Sequence, residues 1–165
     1  MKNKPLINNR VTNRIDKNIT GWMSKNGLLL LRLSIGIIFF WFGFLKFFPG
    51  ASPAEGLAVK TIDLLTFGLF EARTILIILA IWESVIGLGL IIGFYMREIL
   101  LLLFLQMLGT LTPIFLFPGE VFGTVPFSLT LEGQYIIKNL VVISGAIVLG
   151  ATVRGGRINP EPDKE

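Results

Sequence analysis

Hydrophobic positions along this chain gather into four long runs, separated by short polar or glycine- and proline-rich stretches. The first, Gly27 to Phe48, is interrupted by only two full charges, Arg32 and Lys46. A helix needs about 20 apolar residues to cross a hydrocarbon core, and this run is long enough. Within it Arg32, Gly36, Phe39, Gly43 and Lys46 recur by alternating steps of four and three, so they share one helical face. An apolar skin with one stripe of charge and glycine predicts a helix that turns its stripe toward other helices. Polar groups are costly in lipid, and small residues let helix backbones approach.

The remaining runs predict spans over about 74–95, 99–117 and 131–153, with the first at about 27–48. The fold class expected is an all-α membrane protein, a four-transmembrane-helix bundle. Two amphipathic helices are expected beside it. Before the first span, Ile7, Val11, Ile15, Ile19 and Trp22 recur at helical spacing among basic residues, which predicts an N-terminal interfacial helix lying in the membrane surface, with a disordered tail as the alternative. No A-x-A site follows the first run, so that span is expected to stay attached. After Pro49-Gly50, Ser52-Pro53-Ala54-Glu55 reads as a capping box opening a short amphipathic helix in the first outer loop, too charged to span. Three segments follow: a basic stretch at 1–26, a transmembrane domain at 27–153 and a polar tail at 154–165.

Polar and small residues mark a face on each later span. Ala80, Glu83 and Gly87 share one in the second; GLGLIIG sits inside an apolar run after no strand, so it is read as helix packing and not as a dinucleotide fingerprint. Gln106, Gly109, Thr110 and Pro113 form one in the third, where Pro113 predicts a kink and Thr110 can serve the freed backbone groups. In the fourth, Thr130 is an expected N-cap, and Gln134, Lys138 and Gly145 share a face.

Charge adds a direction. The N-terminal stretch, the 96–98 turn and the tail hold ten Lys and Arg, and the two opposite loops hold only Lys60 and Arg73. The positive-inside rule then places both termini in the cytoplasm of a bacterial-type inner membrane. The basic N-terminus is read as meeting acidic lipid headgroups, and no nucleic-acid partner is expected.

The 165 residues include neither cysteine nor histidine. That removes disulfide and thiolate chemistry, a Ser–His–Asp triad, and the usual ligands of zinc and haem. No catalytic or metal-binding residue is expected, and the chain does not read as an autonomous enzyme. A redox role would need an organic carrier or a partner subunit.

The candidate chemistry is therefore the charge inside the spans. Glu83 lies about nine residues from the outer end of its span, roughly 14 Å, and Lys138 about seven from the end of its own, roughly 10 Å. An intramembrane charge costs at least ~2.5–3.5 kcal/mol by insertion scales, so each is expected to have a partner. A Glu83–Lys138 ion pair or shared network is expected, either functional or fixing helix register. Lys46 and Arg32 sit near span ends and are expected to anchor there by snorkelling. Lys46, Lys138, Glu83, Gln134 and Asn139 are also expected to line an outward-opening pocket of net positive charge. It would suit an anion or the carbonyl oxygens of a quinone. Arg32 and Gln106 are secondary candidates.

The runs LLRLSIGIIFFWFGFLKFFPG, WESVIGLGLIIG, LGTLTPIFLF and LEGQYIIKNLVVISGAIVLGA together resemble the DoxX-like integral membrane proteins, in particular the YkgB and reactive-chlorine resistance branch. The resemblance covers roughly 28–151. It rests on Arg32-Leu33-Ser34 and Gly43 to Lys46 in the first helix, Glu83 to Gly87 in the second, and Lys138-Asn139 in the fourth. It implies a four-helix inner-membrane protein, and loosely a membrane subunit or accessory factor in a quinone-linked redox or oxidative-stress process. It carries over no catalytic residue. Two other readings stay open: a small transporter or proton-coupled conduit using Glu83 and Lys138, and a structural or assembly protein. The lipid bilayer is the expected partner in all three; a redox subunit or a second copy of the chain is left open.

Overall fold

A computed structural model of the chain describes residues 10–52, 55–123 and 128–158. Among these residues seven helices follow in order: α1 Arg10–Leu45, α2 Glu55–Leu65, α3 Ala72–Ile92, α4 Met96–Leu111, α5 Pro113–Leu116, α6 Pro118–Val121 and α7 Leu131–Thr152. Four helical segments are long and apolar enough to cross a membrane: Asn13–Leu45, Ala72–Ile92, Met96–Leu116 and Leu131–Thr152. The described residues form no strand beyond one isolated bridge, Phe122 to Leu129. The protein is an all-α, multi-pass membrane protein.

Burial patterning follows from lipid as solvent. The outward positions are large and apolar, including Ile37, Trp41 and Phe44 on α1, Ile81 and Ile92 on α3, Leu101 and Leu108 on α4, and Val141 on α7. The core between helices holds Ile35, Phe39, Ile86, Leu90, Leu103, Met107, Ala146 and Leu149. Each spanning helix packs on two others: α3 on α1 and α4, and α7 on α4 and α1. The bundle is thus a closed ring in which α3 and α7 take opposite corners.

The tightest seam is α1 against α3, and glycine makes it. A Cβ on Gly36 would stand 2.9 Å from Ile91 Cγ1 and 3.1 Å from the Gly87 carbonyl oxygen. A Cβ on Gly43 would stand 2.7 Å from the Ser84 nitrogen. On α3, a Cβ on Gly87 would run into the Phe40 backbone. These matches set an antiparallel register in which residue 36 lies beside 87–91 and residue 43 beside 83–84. The α1 helix therefore ends level with the middle of α3. Beside the remaining half of α3 lies α2, which also contacts α5, while α6 rests on α7. A second cluster of Leu57, Val121 and Ile136 closes this end, and Lys60 of α2 pairs with Glu120 of α6 across its surface.

Three expectations about local structure change here. The amphipathic N-terminal stretch is helical from Arg10, but it runs without a break into the first span, so it is not a separate surface helix. Nothing between them stops a helix: Gly21 and Gly27 are isolated and no proline intervenes. Its 36 residues make roughly 54 Å, against about 30 Å of hydrocarbon. Residues 1–9 of that stretch lie outside the described residues. So do Pro53 and Ala54 of the expected capping box; the Glu55 carboxylate reaches back instead to accept from the Gly50 N–H, at 2.9 Å.

Proline acts as expected in the third span but with a different helper. The helix breaks at Thr112 and resumes at Pro113. Thr112 donates from its hydroxyl to the Leu108 carbonyl at 3.0 Å, and its N–H reaches the Gly109 carbonyl at 3.2 Å, serving oxygens that a proline leaves unpaired. The N-cap of α7 forms as expected, with the Thr130 hydroxyl accepting from Gly133 N at 3.0 Å and donating to the Glu120 carbonyl at 2.6 Å.

Candidate functional site

Lys46 is the first residue after α1, on a turn tightened by its own N–H bonding to the Gly43 carbonyl at 3.2 Å. An ammonium at a helix C-terminus is favoured by the macrodipole. Because Gly43 lets α1 close on α3, with its Cβ position 2.8 Å from Glu83 Cβ, the lysine one turn on folds directly over the glutamate. Lys46 Nζ donates to Glu83 Oε2 at 2.6 Å, and both residues are buried. Gln106 of α4 completes the arrangement: its Nε2 donates to Glu83 Oε1 at 2.9 Å.

Each carboxylate oxygen of Glu83 thus has its own donor, from a different helix. Glu83 lies eleven residues after Ala72 and nine before Ile92, roughly 16 Å and 14 Å from the two ends of α3. The network sits at mid-height in the bundle, where a lone charge is least tolerated. One further bond crosses the same α3–α4 seam, from Trp82 Nε1 to the Leu102 carbonyl at 3.2 Å. Next to Glu83, the Ser84 hydroxyl is buried with no hydrogen-bond partner among the described residues.

The expected Glu83–Lys138 pair does not form. Lys138 is exposed, and its Nζ stands 5.6 Å from the centroid of the Tyr135 ring on its own helix. The reason is topological: α3 and α7 face each other across the ring, and α1 and α4 reach Glu83 first. Nor is Lys46 a snorkelling anchor, because α1 stops at mid-height and the lysine is only 7 % exposed.

The expected outward pocket is not assembled either. Gln134 is exposed on the first turn of α7, and Asn139 turns to α4, its Nδ2 donating to the Thr110 hydroxyl at 3.5 Å. Arg32 stays at the other end of the stripe, its guanidinium against Gly93, the left-handed C-cap of α3. Of the seven candidates, the structure brings together Lys46, Glu83 and Gln106.

Two shallow grooves lie on the described surface, neither of them lined by Lys46, Glu83 or Gln106. One, about 310 Å³, opens to the lipid side of the α3–α4 seam and is lined by Ile78, Ile81, Trp82, Val85 and Leu102. The other, about 560 Å³, lies between the 50–63 segment and the start of α3, with Glu55, Lys60 and Asp63 on its walls.

Lys46, Glu83 and Gln106 all fall inside a stretch, residues 27–118, that matches the DoxX family. The chain belongs to the DoxX family. No curated protein and no solved structure matches it significantly. The DoxX match takes in three of the four spanning helices and leaves α7, with Gln134, Lys138 and Asn139, outside it. The buried network is built wholly from the matched part.

Proposed function

We propose that this DoxX protein is a membrane subunit or accessory factor in a quinone-linked redox or oxidative-stress process, of the YkgB and reactive-chlorine resistance branch. It sits in a bacterial inner membrane with both termini cytoplasmic. The charge asymmetry between its ends supports that orientation.

The observation that carries the reading is the α3–α4 seam. A lipid-open apolar groove and the Glu83–Gln106 bond lie on the same seam, with Gln106 one helical turn from the groove residue Leu102. A quinone is lipid-soluble, and its carbonyl oxygens need donors. The groove offers the ring an apolar approach beside Trp82, and Gln106, one turn from Leu102 on α4, is a donor on that seam, where a quinone carbonyl would compete with Glu83 for its N–H. With no cysteine or histidine in the chain, the electrons come from a partner subunit.

The test is quinone content after mild purification from native membranes into nanodiscs. Wild-type protein should carry quinone, and Leu102→Trp, which fills the groove, should lose it. A wild-type preparation free of quinone removes the reading.

A second reading rests on one feature. Both carboxylate oxygens of Glu83 are already satisfied within the chain, which suits a lock holding α1, α3 and α4 in register. It predicts quinone-free protein whose cellular phenotype survives replacement of the pair by residues that restore packing.

The conduit reading depended on Lys138 titrating with Glu83, and their separation leaves it without its second group.

A further inference from the structure

The stripe that runs from α1 to Lys46 carries two cations facing α3, and among the described residues only one of them has an ionic partner. Lys46 is met by Glu83. Arg32, fourteen residues earlier and roughly 21 Å away along the helix, is half-buried yet makes no hydrogen bond and no ion pair among the described residues. Its five N–H donors form a rigid fork that matches phosphate or carboxylate.

The surroundings say what kind of anion can arrive. The Arg32 guanidinium lies where a Cβ on Gly93 would be, with Cζ 2.8 Å from that position, so the glycine leaves the space the arginine occupies. Beyond Gly93 the chain turns outward. Phe94 and Tyr95 meet edge to face, with centroids 4.6 Å apart, and both are exposed. Exposed aromatic rings at a helix end are typical of the headgroup level. Arg97 follows on the next turn, and Arg154 and Arg157 follow the end of α7; the one acid among them is Glu98. This end of the bundle therefore presents exposed aromatic rings and exposed arginines, with apolar Ile92 exposed just before Gly93.

We propose that Arg32 binds the phosphate of an anionic phospholipid at this end of the bundle, with Gly93 making room for the guanidinium and the Phe94–Tyr95 pair flanking the headgroup. Arg32 is the specific contact. Arg97, Arg154 and Arg157 contribute only diffuse attraction.

The experiment uses the full chain in nanodiscs of phosphatidylcholine containing a minor fraction of phosphatidylglycerol. It reads which lipid stays bound after detergent extraction, by native mass spectrometry, with inorganic phosphate as a parallel arm. Wild-type protein should retain phosphatidylglycerol, and Arg32→Gln should lose about tenfold in its preference for it. A variant with the exposed Arg97, Arg154 and Arg157 all changed to Gln should keep that preference. Because those three side chains are exposed, this variant tests the idea even if Arg32→Gln fails to fold. Equal retention of the two lipids by wild-type protein overturns the proposal. So does unchanged preference in Arg32→Gln, loss of preference in the triple variant, or displacement of the lipid by inorganic phosphate at equal concentration. A protein co-purifying through Arg32 in place of the lipid would also overturn it.

Discussion

Lys46 at the end of α1 and Glu83 in the middle of α3 form a buried ion pair, with Nζ and Oε2 2.6 Å apart. The pair exists because two facts of the sequence meet. Gly43 removes the side chain that would hold the helices apart, and Lys46 lies three residues later on the same face. Gln106 then takes the carboxylate oxygen that the lysine leaves. A charge that would be costly alone becomes a tie between three helices.

Removing one partner should therefore be severe. Lys46→Met or Glu83→Gln should each destabilise the bundle by about 3–5 kcal/mol, because each strands the other charge away from water. Lys46→Met/Glu83→Gln together should cost clearly less than the sum. Unfolding in mixed micelles measures all three, and additive losses would mean the two residues do not interact.

Gly43→Ala should cost about 1–3 kcal/mol through overpacking, since its Cβ would stand 2.7 Å from the Ser84 nitrogen and 2.8 Å from Glu83 Cβ. The methyl would push α1 off α3 and lengthen the ion pair. Unfolding measurements on this variant, set beside Gly109→Ala, where a Cβ meets nothing, separate crowding from any general effect of replacing glycine.

Lys138→Met should leave stability within about 0.5 kcal/mol of wild type. Its side chain is exposed, over the Tyr135 ring of its own helix, and makes no ion pair among the described residues. A loss comparable to that of Lys46→Met would show that Lys138 carries a buried charge after all.

Much of the fold was legible in the chain because lipid imposes strong patterning. Apolar runs gave the four spans, and the four-three spacing from Arg32 to Lys46 identified the packed face of α1. The site was only half legible. Periodicity shows which residues share a helix face; it does not show which helices are neighbours. Depth alone paired Glu83 with Lys138, but the ring order of the helices puts them at opposite corners. The apolar run ends just after Lys46, which points to the membrane surface, whereas the glycine contacts set α1 half a helix out of step with α3. Gln106 was visible as a polar residue on a span, but its partner required the register of α3 on α4.

The absence of cysteine makes the orientation simple to check. Single cysteines at Lys17 and at Phe67, both exposed, should label from opposite sides of an intact membrane, with Lys17→Cys reached only from the cytoplasm. Labelling of Lys17→Cys from outside would invert the proposed topology.

The partner of Glu83 can be read directly by dipolar recoupling in lipid bilayers, between the labelled glutamate carboxyl carbon and lysine side-chain nitrogens. A close lysine contact should be present in wild-type protein, persist in Lys138→Met and vanish in Lys46→Met. A contact that persists in Lys46→Met and vanishes in Lys138→Met would contradict the account at its centre.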